Sequence, residues 1–321
     1  MDLSEARSEP YVQFLEFHDR FNRQFKATVT ALEYLRTSVA EAPEKRQAFL
    51  EHMDRKWRDG HNWTSAGDVL RQASEDTCRL AIVQIHSALD DFEDLLAAEH
   101  SRWCSIAKLL QPTKVPPTGG EHEPLWKLCY RLDLDCDDLV AWRALLGAFR
   151  TMRHCIVHRS ARASPQLVEL AQSEDLTKLL KLWPRRKNGQ PPPFPSFKAN
   201  AVITIVPKTV ILCLDAARRS AESINRAMIR FLGPAGLSYA AARHVLLDDE
   251  LEVLASPYRT PNSAIGSVLA RRHRATSLAN EPEAALRRLG CWEKCKRRHA
   301  KLYRAAIAAG RFKLPQGFKL P

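Results

Sequence analysis

Six residues, Arg153-His154-Cys155-Ile156-Val157-His158, hold the densest chemistry in the chain. A guanidinium keeps its charge at any ordinary pH and can fork two hydrogen bonds onto a phosphate. An imidazole titrates near neutrality and can take or give a proton beside it. Aimed at one RNA phosphate, the two would supply a fixed cation and a proton carrier, and no metal would be needed. His154 and His158 are also four residues apart, a metal-ligand spacing on one helix face. However, no Glu follows the first of them, as a zinc peptidase signature would require. No further ligand can be named, so no metal or other cofactor is expected.

These residues need a helix to position them. At about 100° per residue, Trp142, Leu145, Leu146, Phe149, Met152 and Ile156 share one stripe of a helix over 137–161, with Asp137 or Asp138 as its cap. Arg153 falls inside that stripe, next to Phe149. An unpaired buried guanidinium is very costly. Arg153 therefore needs a carboxylate partner, or the stripe opens there onto a site or a subunit interface. His158 lies roughly 140° around the helix from Arg153. One helix does not bring the two heads together, whereas a second copy from another protomer would help. The acidic residues Asp90, Asp91, Glu93 and Asp94 read first as a solvated helix face; Asp90 or Asp91 pairing with Arg153 is the less favoured reading.

Tyr11, Phe14, Phe17, Phe21, Phe25, Val29 and Leu32 recur at spacings of three and four and predict a long amphipathic helix over 10–38. Further helices are expected at 43–57, 68–99, 124–131 and 207–232, the last ending at Gly233-Pro234. Ile82, Ile85, Leu89, Phe92 and Leu96 form the apolar face of the third. Pro- and Gly-rich stretches at 111–124 and 184–200 break the pattern. Leu176–Trp183 and Ala201–Val206 are expected to pair as a short β-hairpin, since Val202-Ile203-Thr204-Ile205-Val206 is the best strand signal in the chain. The expected fold is mainly α, an up-and-down helical bundle with a short β-hairpin insertion and a basic helical C-terminal extension. The bundle is placed at 1–240 and the extension at 241–321.

At 321 residues and 45% hydrophobic composition the chain can bury a proper core, and 12 glycines argue against a turn-dense all-β fold. The 8 cysteines sit mostly in apolar or helical stretches, so buried, reduced thiols and a cytoplasmic setting are expected. MDLSEARSEP has no basic start before an apolar run, and no stretch of about 18 apolar residues occurs, so neither a signal peptide nor a membrane span is expected. The motifs for acyl transfer, phosphate cradling and dinucleotide binding are missing.

The motif at 153–158 resembles the ribonuclease branch of the HEPN (higher eukaryotes and prokaryotes nucleotide-binding) domain. That family's hallmark is an arginine, four to six residues, then a histidine, often with Asn, Asp or His directly after the arginine. Arg46–His52, Arg55–His61 and Arg79–His86 meet the loose spacing too. Only Arg153, His154 and His158 add the polar residue, the apolar context and the late-helix position. The bundle, the long first helix and the helix carrying His86-Ser87-Ala88-Leu89-Asp90-Asp91-Phe92 also look like that domain, over about residues 8–235 by architecture. The resemblance implies a metal-independent endoribonuclease. The RNA 2′-hydroxyl would attack the adjacent phosphate, leaving a 2′,3′-cyclic phosphate and a 5′-hydroxyl. His158 would move protons, Arg153 would hold the phosphate, and His154 would orient the histidine or contact phosphate. It further implies a homodimer with a composite site, DNA as a non-substrate, and service as a toxin or antiviral-defence effector with an antitoxin or regulatory partner. The alternative is a non-catalytic HEPN-like scaffold that binds RNA or a ribonucleoprotein. A DNA-binding regulator using residues 281–309 ranks third.

The net charge is +12, and residues 271–321 hold 14 Lys/Arg against 3 Asp/Glu, a balance of +11. The rest of the chain is nearly neutral. Basic helices are expected around 263–274 and 281–309, after a linker at 256–263, for a polyanion partner. Arg271, Arg272, Arg274, Lys294, Lys296, Arg297 and Arg298 are the candidate RNA contacts. Cys291, Cys295 and His299 recur every four residues and read as one buried helix face rather than a zinc site. Trp292 reads as packing before it reads as a stacking platform for a base.

Overall fold

The computed structural model describes residues 2–57, 66–110, 112, 124–135, 139, 142–183, 194–248, 250–252, 258 and 260–311. Among them the chain is mainly helical: α1 (Glu9–Glu41), α2 (Pro43–Trp57), α3 (Ala66–Ala107), α4 (Pro124–Arg131), α5 (Arg143–His158), α6 (Pro165–Gln172), α7 (Glu174–Leu182), α8 (Pro207–Ala242), α9 (Pro261–Arg271), α10 (Pro282–Arg288) and α11 (Trp292–Ala308). No helix of the described residues is long and apolar enough to cross a membrane.

The stripes read from the sequence become the core. On α1, Tyr11, Phe14, Phe21 and Phe25 are buried. Phe14 meets Phe92 of α3 with ring centroids 5.6 Å apart, and Phe17, Phe21 and Phe25 stack in succession. On α3, Ile82, Ile85, Leu89, Phe92 and Leu96 are each at most 1% exposed. Helices α1, α3 and α8 pack pairwise, and α5 lies against α3 and α8. Burying this many large apolar side chains, at roughly 1.5–3 kcal/mol each, is the main stabilisation of the assembly.

Helix α8 breaks its geometry where expected and then resumes. Gly233 has φ 58° and ψ −171°, outside helical values, and the helix restarts at Pro234 and runs on to Ala242. Glycine tolerates that conformation and proline begins a helix without needing its missing N–H, so the pair makes a kink rather than an end. A single π-type turn, Arg243–Leu247, follows.

The predicted hairpin is corrected. Leu176–Leu182 lies in α7, whose first turn is capped by the Ser173 hydroxyl accepting from the Leu176 backbone N–H. The leucines at 176, 179 and 180 repeat at helical spacing, and that period prevails over the strand reading. Residues 202–206 form no strand, though their burial alternates, with Ile203 and Ile205 buried and Val202 and Val206 exposed. Their partner is the chain just after α5, through one antiparallel bridge between Val202 and Arg162. The helix expected from 263 begins at Pro261, behind a Thr260 cap, so the end of the supposed linker is helical. A loop is expected from the sequence through Gly60 and Gly67, but α3 already includes Gly67; residues 58–65, most of 111–124, the Asp137 or Asp138 cap, Cys136 and the chain after Arg311 lie outside the described residues.

The basic C-terminal segment shares the apolar core of the bundle: Ile265, Leu269, Leu286, Trp292 and Leu302 belong to the same buried cluster as Phe14, Phe92 and Phe149. Polar groups fasten the two together. His273 and Arg7 pair through their backbones at 2.8 Å, and the Arg243 guanidinium reaches the buried Glu99 carboxylate at 2.7 Å. Asn225 of α8 accepts from the Ser8 backbone and hydroxyl and donates to the Ala6 carbonyl.

Candidate active site

Helix α5 carries the motif and α3 supplies its counter-charges. Leu145, Leu146, Phe149 and Met152 anchor α5 in the core. Arg153 sits at the edge of that buried stripe, 27% exposed, and its Nη1 donates to Asp90 of α3 at 2.5 Å. Arg150, one turn earlier, donates to Asp90 at 3.2 Å and to Glu93 at 2.8 Å. Two guanidiniums and two carboxylates thus form one network across the α3–α5 seam. The structure therefore contains the Arg153–Asp90 pairing that the sequence ranked lower. Arg153 spends only Nη1 on it; Nε and Nη2 have no partner among the described residues.

His154 and His158 both face solvent, with ring centroids 4.9 Å apart and a tilt of 45°. No hydrogen bond joins either of them to Arg153 among the described residues, in keeping with their separation around the helix. Val157, between them, is half exposed. Immediately beyond His158 the chain turns sharply. Ser160 and Ala161 have φ of 50° and 56°, a left-handed conformation that costs an L-residue about 1 kcal/mol or more. The turn is held by the Arg159 and Ala161 N–H groups, which both donate to the Cys155 carbonyl, and by Ile203, which donates to the Ala161 carbonyl at 2.7 Å. Such outliers persist only where the surroundings over-determine them.

His86, one turn before Asp90 on α3, lies beneath the network and escaped the sequence reading as a site residue. It is fully buried, and burial, with Arg150 and Arg153 adding to the effect, pushes its pKa down to about 3. The ring is therefore neutral at physiological pH. Its Nε2 is 4.0 Å from the Cys213 sulfur of α8, and its Nδ1 has no partner among the described residues. A signal was available: His86 and Asp90 are one turn apart on the helix whose other faces are apolar and acidic.

A groove of about 460 Å³ between α1 and α3, lined by Phe14, Phe17, Arg20, Asp91 and Asp94, and a polar one of about 200 Å³ lined by Glu9, Glu99, Arg102, Arg243 and His244, do not include the motif residues.

The basic candidates separate into two kinds. Arg272 is fully engaged, with Nε and Nη2 on Glu9 and Nη1 on Glu16. Arg298 donates to the carbonyls of Asp248 and Leu251. Lys296 pairs with Glu293 at 2.8 Å. Arg271, Arg274, Lys294 and Arg297 are exposed. Arg274 lies near Arg7, whose pKa is lowered by burial and then by the Arg274 charge. Cys291, Cys295 and His299 line the underside of α11: His299 Nε2 meets the Tyr258 carbonyl at 2.9 Å, and burial pushes the Cys295 thiol up to about 12. Trp292 is 4% exposed. No group of three or more His, Cys, Asp or Glu arranged for a metal occurs among the described residues. Compared with known proteins, the chain matches no family model, no curated protein and no solved structure.

Proposed function

We propose that the chain is a metal-independent endoribonuclease of the HEPN type, with Arg153, His154 and His158 as its catalytic group. One observation carries this reading. At the end of α5 an arginine is fixed at the surface by a single donor, and two solvent-facing imidazoles stand beside it on the same helix. Arg153 then offers Nε and Nη2 to a phosphate and stabilises charge on its equatorial oxygens. His158 takes the proton from the 2′-hydroxyl as the 2′-oxygen bonds to phosphorus. The P–O5′ bond breaks, and the leaving 5′-oxygen takes a proton from the second copy of His158 across a homodimer. The products are a 2′,3′-cyclic phosphate and a 5′-hydroxyl, and DNA, lacking the nucleophile, is not cut. A toxin or antiviral-defence role, a cytoplasmic setting and an antitoxin or other regulatory partner belong to the same reading.

The ion pair with Asp90 favours a second reading, a non-catalytic RNA-binding scaffold in which Arg153 is structural. Cleavage of RNA in EDTA by the wild type, Arg153→Ala and His158→Ala decides between them. Each substitution is expected to slow cleavage by roughly 10²-fold or more. Undiminished cleavage by both variants would overturn the catalytic assignment. RNA bound but left intact by the wild type would establish the scaffold.

A further inference from the structure

Beyond the cleavage site, we infer that the outward face of α11 is a docking surface for the sugar–phosphate backbone of double-helical RNA. At 3.6 residues per turn, Lys294, Arg297 and Lys301 fall within a sector of about 60° and span about 10 Å of helix. All three are exposed. Trp292, Cys295, His299, Leu302, Tyr303 and Ala306 are buried, and they occupy the opposite side. The helix cannot roll: His299 is bonded to the Tyr258 carbonyl, and Arg298, beside the stripe, to the carbonyls of Asp248 and Leu251. No carboxylate follows Glu293 anywhere in 294–308. Glu293 itself is paired with Lys296 at 2.8 Å and lies 3.7 Å from Arg287. The stripe is therefore a row of exposed cations whose helix carries one carboxylate, Glu293, at its start.

Charge complementarity selects a polyanion, and the rest of the helix selects which one. Binding in a lipid interface needs an apolar face beside the basic one; here that face is spent on the core. Single-stranded nucleic acid is held by aromatic platforms as well as charge, but Trp292 and Tyr303 are both buried. What remains is backbone recognition. That favours the partner with the denser phosphates, a duplex, which carries about one charge per 1.7 Å of axis. The choice of RNA over duplex DNA, which shares the phosphate chemistry, rests on the ribonuclease reading. The stripe would hold a helical stem while the site on α5 acts on RNA nearby. It also replaces the contact set expected from sequence: Arg272, Arg298 and Lys296 are occupied within the protein, and Lys301 joins the surface.

The test is fluorescence anisotropy of the full-length wild type with a 2′-O-methyl RNA hairpin over a series of KCl concentrations. That RNA cannot be cut, so a failure here leaves the ribonuclease reading standing, and an absence of cleavage leaves this one standing. The variant Lys294→Ala/Arg297→Ala/Lys301→Ala changes exposed helix positions to the best helix former, so it should melt like the wild type. It is expected to bind about tenfold or more weakly at moderate salt. Its slope of log affinity against log salt should be shallower by about 2–3, at about 0.9 per lost phosphate contact. 2′-O-methyl oligouridine of equal length and phosphatidylserine-containing vesicles should bind the wild type at least about tenfold less tightly than the hairpin, and a DNA hairpin no more tightly. An unchanged slope in the variant overturns the assignment. So does tighter binding of the single strand, the vesicles or the DNA hairpin.

Discussion

Arg153 and Arg272 are both arginines at the seam between two helical elements, each bound to a carboxylate of a neighbouring helix. The resemblance ends at their remaining donors. Arg272 places Nε, Nη1 and Nη2 on Glu9 and Glu16, at 2.6–2.9 Å. Burial alone would raise the Glu9 carboxyl, but the hydrogen bonds from Arg272 and Gln13, together with the Arg272 charge, hold it below its ordinary range. Arg153 commits one donor to Asp90, which is itself more than a third exposed. A saturated guanidinium is cement. One with donors to spare can still recognise something, and the sequence by itself does not distinguish the two cases.

Three substitutions press on this contrast. The largest effect on stability is expected from Arg272→Ala, which leaves the Glu9 carboxylate buried without its cation. A loss of about 3 kcal/mol in urea unfolding is expected, and a loss below about 1 kcal/mol would break the contrast. The next concerns His86. Between pH 6.5 and about 3 the unfolded chain binds a proton at this residue that the folded chain refuses. The unfolded state then holds more protons, so stability falls as pH falls through that window, by up to about 1.4 kcal/mol per unit. His86→Met should flatten the stability profile between pH 6.5 and 5 by about that slope and leave it unchanged above pH 7. A profile parallel to the wild type would mean that His86 titrates normally. The smallest effect is expected from Asp90→Asn, because both partners of this pair are partly exposed, Arg153 at 27% and Asp90 at 37%. Less than about 1 kcal/mol should be lost, and a value near that of Arg272→Ala would make Arg153 structural.

Much of the fold was legible because it rests on local periodicity. The Phe14–Phe25 stripe of α1 and the Ile82–Leu96 stripe of α3 fall on the faces the structure buries. The hairpin failed on the same physics: Val202–Val206 alternates in burial as a strand would but forms a single bridge, and the leucines at 176, 179 and 180 follow a helical period. Partnerships were hidden for a different reason. Asp90 and Arg153 are 63 positions apart, and the wet acidic face offers Asp90 and Asp91 with equal merit. Nothing in the spelling separates Arg272 and Arg298 from Lys294 and Arg297. Only the side of the helix that meets the core, and the loop carbonyls brought beside it, decide which cations are spent.

The backbone pairing of Arg7 with His273, 266 positions apart, gives the fold a timetable. At roughly 5–20 residues per second, the ribosome delivers His273 on the order of 10–60 s after Arg7. Through nearly all of that interval Glu9 has no Arg272, and for most of it Ser8 waits for Asn225 of α8. The first turn of α1 is thus among the last parts to be completed. A chain interrupted before residue 272 has all of α1 but not the cation that fixes its first turn.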